Sequence, residues 1–198
     1  MILTKRLSHA INRASELHRE QLRRGKDMTP YVSHLYSVMY LLSKTTDDED
    51  VLIAGLLHDS LEDVPLYTKE KLIEEFGERV GAIVSGVTEP LDANKEMEDQ
   101  KPWLERKEVY LLALTNGPTE SALVSLSDKI HNLMSTEYSI ETGDALLFQK
   151  IEQGFRHQKL FYEKVLGICR EKLGNDHALV KDFENAFTRV TGLLVRGS

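Results

Sequence analysis

Four residues able to bind a metal or transfer protons stand together directly after an apolar stretch at positions 51–57: His58, Asp59, Glu62 and Asp63. On a helix, residues three and four apart share one face, so an imidazole and three carboxylates would form a single stripe. The apolar residues before the stripe indicate that it is at least half buried. Buried carboxylates are costly unless a cation or hydrogen bonds compensate them, and a divalent metal is the simplest compensation. A solvated helix end is the alternative interpretation.

A second unusual carboxylate, Asp128, interrupts the apolar positions of the stretch 122–133. An aspartate on a buried helix face needs a partner, which is either a metal or a structural ion pair with Lys129 or a distant arginine. His34 lies one turn into a predicted helix, where an ordinary helix-start histidine is the alternative to a ligand. Two imidazoles and two carboxylates together suit manganese, iron or zinc rather than calcium, and leave coordination positions open for water and substrate. The candidate ligands are His34, His58, Asp59 and Asp128.

Helices must position these residues, because apolar residues recur at helical spacing and no period-two strand of any length is present. We predict helices at residues 3–22, 31–43, 47–64, 69–76, 79–87, 103–114, 120–135, 144–173 and 177–194. The predicted fold class is therefore all-α. The third helix should end near Val64, since the residue before Pro65 is biased away from helical geometry, and this places the acidic stripe close to a loop. Residues 88–101 form the longest predicted loop and a candidate lid.

The totals of the chain disfavour several classes of protein. A length of 198 residues suits one domain, and a net charge of −7 disfavours non-specific nucleic-acid binding. No apolar run approaches the ~20 residues of a membrane helix, and the N-terminus lacks the apolar centre of a signal peptide. The single cysteine, Cys169, cannot form an intramolecular disulfide, which favours a reducing compartment. We therefore expect a cytoplasmic protein with neither a membrane nor a nucleic acid as partner.

Four sequence motifs, in this order, resemble those of the HD-domain phosphohydrolases. They are Thr29-Pro30-Tyr31-Val32-Ser33-His34, then Leu56-Leu57-His58-Asp59-Ser60-Leu61-Glu62-Asp63, then Phe76-Gly77 with Val87-Thr88, and finally Ser127-Asp128-Lys129-Ile130-His131-Asn132-Leu133. The HDxxED form and the basic loop at residues 23–30, before His34, resemble the hydrolase domain of RelA/SpoT-type alarmone enzymes and their short stand-alone relatives. This resemblance implies an HD-domain helical bundle. We expect one HD domain at 1–198, with a catalytic core at 1–135 and a C-terminal helical extension at 136–198 that packs on it or forms a homo-oligomer face.

The resemblance also implies a reaction and a set of roles. The family reaction, part of the stringent response, hydrolyses guanosine 3′,5′-bis(diphosphate), ppGpp, to GDP and pyrophosphate with a metal-activated water. The four candidate ligands match the family's metal ligands, with Mn²⁺ the usual ion and Fe²⁺, Zn²⁺ or Mg²⁺ as alternatives. Glu62 and Asp63 match the acidic pair that orients or activates the water. Substrate contacts are implied for Arg23, Arg24, Lys26 and Asn132.

The residues themselves leave other interpretations open. Leu35 follows His34 where the family often has proline, a difference that affects the entry to the helix. No basic residue closely follows Asn132, as one often does in the alarmone enzymes, and this departure concerns the substrate and not the metal. One alternative is an HD phosphohydrolase for another nucleotide, such as a deoxynucleoside monophosphate or a dinucleotide 2′-phosphate. Another is a catalytically silent nucleotide-binding module. The basic loop could equally be solvated, and Tyr31 could either stack on a base or pack in the core.

Overall fold

The computed structural model describes residues 2–23, 28–89, 102–143 and 145–196, without the side chains of 145–156 and 195–196. Within these ranges the chain forms ten helices and no strand, which confirms the all-α prediction. The helices are α1 Lys5–Leu17, α2 Val32–Leu42, α3 Glu49–Leu57, α4 Ser60–Asp63, α5 Lys69–Phe76, α6 Glu78–Ser85, α7 Trp103–Asn116, α8 Thr119–Glu141, α9 Ala145–Leu173 and α10 Ala178–Arg196. No helix in these ranges combines the length and the apolar character that crossing a membrane would require.

The first helix is shorter than predicted and ends at Leu17. Beyond it, the chain turns back on itself: the N–H of Arg23 donates to the Thr29 carbonyl at 2.8 Å, and the N–H of Tyr31 donates to the Gln21 carbonyl at 2.8 Å. These bonds satisfy main-chain groups that a longer α1 would have paired within the helix. Residues 21–23 and 29–31 are thus held side by side at the start of α2, and we call this pair of segments the neck of the basic loop.

The predicted helix at 47–64 is interrupted within the HDxxED motif. α3 ends at Leu57 and α4 begins at Ser60. The Ser60 hydroxyl donates to the Leu57 carbonyl at 2.6 Å, and Nδ1 of His58 lies 2.9 Å from the Gly55 carbonyl oxygen. Because these side chains satisfy carbonyls of the last turn of α3, the chain can leave the helix there at little cost. The motif residues therefore lie on a bend rather than on one regular helical face.

Helix α8 lies at the centre of the bundle and packs against α2, α3, α9 and α10. It is longer than predicted, reaching Glu141 instead of ending near Ser135. Helix α3 is buried on every side, with each residue from Val51 to Leu57 inaccessible or nearly so. The close approach of α2 and α3 needs Gly55, since a Cβ there would lie 2.3 Å from Cδ1 of Leu42.

The C-terminal helices join the same hydrophobic core as the N-terminal ones. Aromatic side chains connect α9 to α10: the Tyr162 ring lies 5.8 Å from that of Phe183 and 6.0 Å from that of Phe187. Phe161 packs edge-on against Tyr110 of α7 at 5.5 Å. These contacts hold α9 against α7 and α10, and α9 also packs on α8, which carries Asp128.

Candidate metal centre

The structure brings all four candidate ligands together from separate parts of the chain. His34 lies on α2, His58 and Asp59 on the bend between α3 and α4, and Asp128 on α8. Nε2 of His34 lies 3.7 Å from Oδ2 of Asp59 and 3.2 Å from Oδ1 of Asp128. Nε2 of His58 lies 3.1 Å from the same Asp59 oxygen and 3.8 Å from the same Asp128 oxygen. Both imidazoles are almost completely buried.

These separations suit a metal ion. Ligand atoms about 2.0–2.2 Å from one ion, at angles near 90–110°, lie about 3–3.6 Å from each other. Atoms offered by His34, His58 and Asp59 all lie within 4.8 Å of one another. Asp128 adds a second carboxylate in contact with both histidines. Two imidazole nitrogens and two carboxylate oxygens form a donor set that first-row divalent metals accept.

Hydrogen bonds set the tautomer of His58. Its Nδ1 lies 2.9 Å from the Gly55 carbonyl oxygen, which can only accept, so Nδ1 carries the hydrogen. Nε2 then presents a lone pair toward the carboxylates. This Nε2 is buried and has no hydrogen-bond partner in the described structure. Buried polar atoms without partners are rare, and here a cation would supply the missing partner.

His34 is oriented in a similar way. Its Nδ1 lies 2.7 Å from Nδ1 of His131, so one of the two nitrogens donates and the other accepts. Burial, and then the proximity of His34, lower the pKa of His131 to about 4, which keeps His131 neutral at physiological pH. A neutral His131 can accept the hydrogen on Nδ1 of His34 and leave Nε2 of His34 as the ligand atom. This contact makes His131 a support for the orientation of His34.

Asp128 has partners of its own. Its Oδ2 accepts from Nζ of Lys129 at 2.5 Å, and its Oδ1 accepts from Nδ2 of Asn132 at 2.6 Å. The ion pair with Lys129, one of the alternatives for this residue, is thus present together with the two histidine contacts. Burial opposes the charge on Asp128, but Lys129 and the histidines outweigh it and hold the pKa of Asp128 well below its usual range.

The other charges of the centre are strongly coupled. Burial opposes ionisation of Asp59, yet the neighbouring His58 outweighs it and holds the pKa of Asp59 below its usual range. Burial likewise opposes a charge on His58, but Asp59 and Asp128 raise the pKa of His58. Burial lowers the pKa of His34. The two carboxylates of the centre therefore favour a positive charge beside them, which a divalent cation would supply.

Of the acidic pair, Glu62 reaches the site directly. It lines the same cavity as Asp59, and its Oε2 accepts the main-chain N–H of Glu89 at 3.1 Å. Burial raises the pKa of Glu62 to about 8, with Asp59 and Glu89 adding to the effect. A carboxylate that titrates near neutral pH suits general acid–base chemistry. Asp63 is not among the residues that line this cavity; its main-chain carbonyl accepts from Nε2 of Gln21 at 3.0 Å.

A cavity of about 220 Å³ opens beside the four ligands. Part of its wall comes from the C-terminal helix α9, through Gln158, Phe161 and Tyr162. It is lined by Arg23, Tyr31, His34, Asp59, Glu62, Val87, Glu89, Lys107, Tyr110, Asp128, Lys129, Asn132, Gln158, Phe161 and Tyr162. The cations among these side chains suit an anionic ligand, and the aromatic rings offer flat surfaces to a base.

The predicted substrate residues are only partly described. Nη2 of Arg23 donates to Oδ1 of Asn132 at 2.9 Å, so these two residues lie together at the cavity. Arg24 and Lys26, like most of the candidate lid at 88–101, lie outside the described residues. Sequence reasoning missed Glu89 and Lys107. In the sequence both are ordinary charged residues near a predicted loop, and no motif marks them.

Comparison with known proteins gives relatives for most of the chain. The sequence model of the family described as HD domain matches residues 10–151. The chain is 36% identical over 120 residues to the guanosine-3′,5′-bis(diphosphate) 3′-pyrophosphohydrolase of Haemophilus influenzae, covering 61% of this chain and 17% of that protein. It is 34% identical over 129 residues to the guanosine-3′,5′-bis(diphosphate) 3′-pyrophosphohydrolase MESH1 of Danio rerio, covering 64% of this chain and 67% of MESH1.

Two solved structures have a similar fold. A metazoan ortholog of SpoT, described as hydrolysing ppGpp, matches with a TM-score of 0.73 at 26% identity, covering 98% of this chain and 99% of its own. A protein of Listeria monocytogenes matches in fold with a TM-score of 0.64 at 23% identity, covering 83% of this chain and 98% of its own. The chain spans less than a fifth of the length of bacterial relatives such as the Haemophilus enzyme.

Proposed function

Because the chain belongs to the HD-domain family, we propose that it is a metal-dependent phosphohydrolase that hydrolyses guanosine 3′,5′-bis(diphosphate) to GDP and pyrophosphate. One observation carries the proposal: two histidines and two aspartates converge beside a buried glutamate in a cavity that also holds cations. Both relatives named as pyrophosphohydrolases of this nucleotide support the choice of substrate. In this proposal residues 1–198 act as one HD domain, since α9 supplies part of the cavity wall.

The metal ligands in this proposal are His34, His58, Asp59 and Asp128. The unpartnered Nε2 of His58 and the mixed nitrogen and oxygen donors support this set. When bound, a divalent ion supplies Lewis acidity, lowering the pKa of a coordinated water and withdrawing charge from phosphoryl oxygens. Mn²⁺ is our first choice, with Fe²⁺, Zn²⁺ and Mg²⁺ as the ions to compare.

Glu62 has the role of general base. Its carboxylate lies in the cavity, and its pKa, raised to about 8, makes it a stronger base than an ordinary carboxylate. The main-chain N–H of Glu89 keeps one of its oxygens in place, which leaves the other free to orient the attacking water. Asp63 is the second candidate of the acidic pair, one position further along the motif.

The cations around the cavity would balance the charge of the substrate. Arg23, Lys107 and Lys129 line the cavity, where they can offset the charge that shifts onto the leaving diphosphate. Asn132 offers an amide beside Arg23. Arg24 and Lys26 belong to the same proposal as further contacts from the basic loop. The rings of Tyr110, Phe161 and Tyr162 offer surfaces for the guanine base.

The direct test is turnover by the purified protein loaded with Mn²⁺. We expect GDP and pyrophosphate to appear from guanosine 3′,5′-bis(diphosphate), as separated by ion-exchange chromatography, and EDTA to abolish the reaction. The Glu62→Gln protein is the matched control, because it keeps the four ligands. A deoxynucleoside monophosphate and a dinucleotide 2′-phosphate, tested in parallel, probe the alternative substrates. Turnover of one of these alone would reject the alarmone and retain the hydrolase.

A further inference from the structure

Tyr31 connects the neck of the basic loop to the metal centre. Its hydroxyl donates a hydrogen bond of 2.7 Å to Oδ2 of Asp59, the same oxygen that lies 3.1 Å from Nε2 of His58. A carboxylate oxygen has two lone pairs, so this atom can accept from the phenol and still face the histidines. Burial and the nearby aspartates raise the pKa of Tyr31, so the phenol remains a donor.

The backbone of Asp59 leaves its carboxylate available to the metal centre. Asp59 directly precedes α4, but its backbone is in the right-handed helical region, whereas an aspartate that caps a helix ordinarily has an extended backbone. Its side chain accordingly makes no capping bond to α4. The carboxylate turns toward Tyr31 and His58. Its orientation therefore depends on these side-chain contacts.

The ring of Tyr31 is itself held on several sides. It stacks on His18 at 5.3 Å between ring centroids, and the guanidinium carbon of Arg23 lies 5.7 Å from its centroid. The His34 ring meets it edge-on at 5.6 Å. Its main-chain N–H is fixed at the neck of the loop by the Gln21 carbonyl. The hydroxyl is thus directed at Asp59 by contacts within the chain itself.

We infer that Tyr31 is a positioning residue for Asp59, whose carboxylate its hydroxyl holds toward the two histidines. The inference rests on the proposed function only in requiring that the centre binds a divalent metal. It adds a role that neither base stacking nor core packing would give Tyr31. Outer partners of metal ligands commonly change metal affinity about 10–100-fold when they are removed.

The test compares Tyr31→Phe with wild type by isothermal titration of Mn²⁺ without nucleotide. We expect the dissociation constant to rise about tenfold or more, since only the hydroxyl is lost. Tyr36→Phe is the matched control on the same helix, because its hydroxyl lies 2.5 Å from Ser15 Oγ rather than beside a ligand. We expect Tyr36→Phe to bind Mn²⁺ as wild type does. Thermal unfolding of all three proteins in EDTA separates loss of affinity from loss of stability.

The outcomes are distinct. Equal Mn²⁺ affinity in Tyr31→Phe and wild type would overturn the inference, as would an equal loss in Tyr31→Phe and Tyr36→Phe. A wild-type protein that binds no Mn²⁺ would overturn it together with the metal centre. If wild type binds Mn²⁺ but leaves the alarmone intact, the proposed function fails while the comparison of affinities still decides the role of Tyr31.

Discussion

The main-chain N–H of Glu89 lies 3.1 Å from Oε2 of Glu62 and donates to it. The side chain of Glu89 is buried and pairs with two cations of α7, Arg106 and Lys107. Helix α7 therefore fixes the segment after α6, and this segment in turn fixes the carboxylate of Glu62. The proposed general base is positioned by an ion cluster that does not itself belong to the HDxxED motif.

Glu89→Gln should lower turnover without weakening metal binding. The substitution keeps the main-chain N–H and the size of the side chain but removes the charge that pairs with Arg106 and Lys107. We expect kcat to fall about tenfold, which corresponds to ~1.4 kcal/mol of transition-state stabilisation. Steady-state kinetics and Mn²⁺ titration on the same preparation would check this.

Arg79→Gln provides the matched control for that variant. Arg79 joins Asp48, Asp50 and Glu120 in an ion cluster that includes none of the cavity-lining residues. We expect a modest loss of thermal stability and unchanged kinetics. Similar kinetic losses in the two variants would indicate that Glu89 acts on general stability and not through Glu62.

Substitutions of the metal ligands and of the general base should differ in their effects on Mn²⁺ binding. Asp59→Asn and His58→Ala should lose Mn²⁺ and activity together, whereas Glu62→Gln should retain Mn²⁺ and lose about 100-fold or more in kcat. His9→Ala serves as the control, since His9 is exposed and lies near Glu75. Metal content by atomic emission and rates on the same samples give the comparison. Activity that survives in the ligand variants would reject the mechanism.

Glu62 should also make the metal-free protein less stable as pH rises. Its pKa is about 8 in the folded protein against an ordinary value of 4.5, so the folded state binds this proton more tightly than the unfolded chain. Stability from this group is therefore complete below pH 4.5 and is lost as pH rises toward about 8. In EDTA, wild type should lose more thermal stability between these values than Glu62→Gln. Parallel pH profiles for the two proteins would contradict the assignment.

Gly55→Ala should affect both stability and metal binding. The new Cβ would meet the Leu42 side chain at 2.3 Å, and overpacking of this kind costs about 1–3 kcal/mol. The carbonyl of Gly55 also orients His58, so a shift of α3 should weaken Mn²⁺ binding. Denaturant unfolding and metal titration measure the two effects.

Gly167→Ala is the natural comparison for Gly55→Ala. A Cβ at Gly167 in α9 would meet nothing within 4 Å. Alanine there should raise the free energy of unfolding by up to about 1 kcal/mol, because glycine is the poorer helix former. Equal destabilisation at both positions would show that the loss at Gly55 does not come from the contact with Leu42.

Much of the helical framework could be predicted from the sequence, because apolar spacing, prolines and glycines act locally. The burial of the candidate centre could also be predicted, since His58, Asp59 and Glu62 follow an apolar run. The bend between α3 and α4 was not predicted. It depends on side-chain bonds from His58 and Ser60 to carbonyls of the preceding turn, and helical periodicity carries no sign of such bonds.

The far wall of the cavity was also beyond sequence reasoning. Phe161 and Tyr162 have the spacing of ordinary core residues, and only the packing of α9 shows that they border the site. The role of Glu89 arises from a main-chain N–H, which is common to every residue except proline. Tertiary packing brings these residues to the site, so the local sequence pattern cannot distinguish them from ordinary core or surface residues.

The origin of the four candidate ligands in three distant segments has a consequence for folding as well as for chemistry. An ion held by α2, by the bend after α3 and by α8 would act as a reversible cross-link between the two ends of the core. Each tenfold rise in free ion above its dissociation constant would then add about 1.4 kcal/mol to the free energy of unfolding. The supply of metal in the surroundings would therefore set the fraction of the protein that is folded, even when no substrate is present.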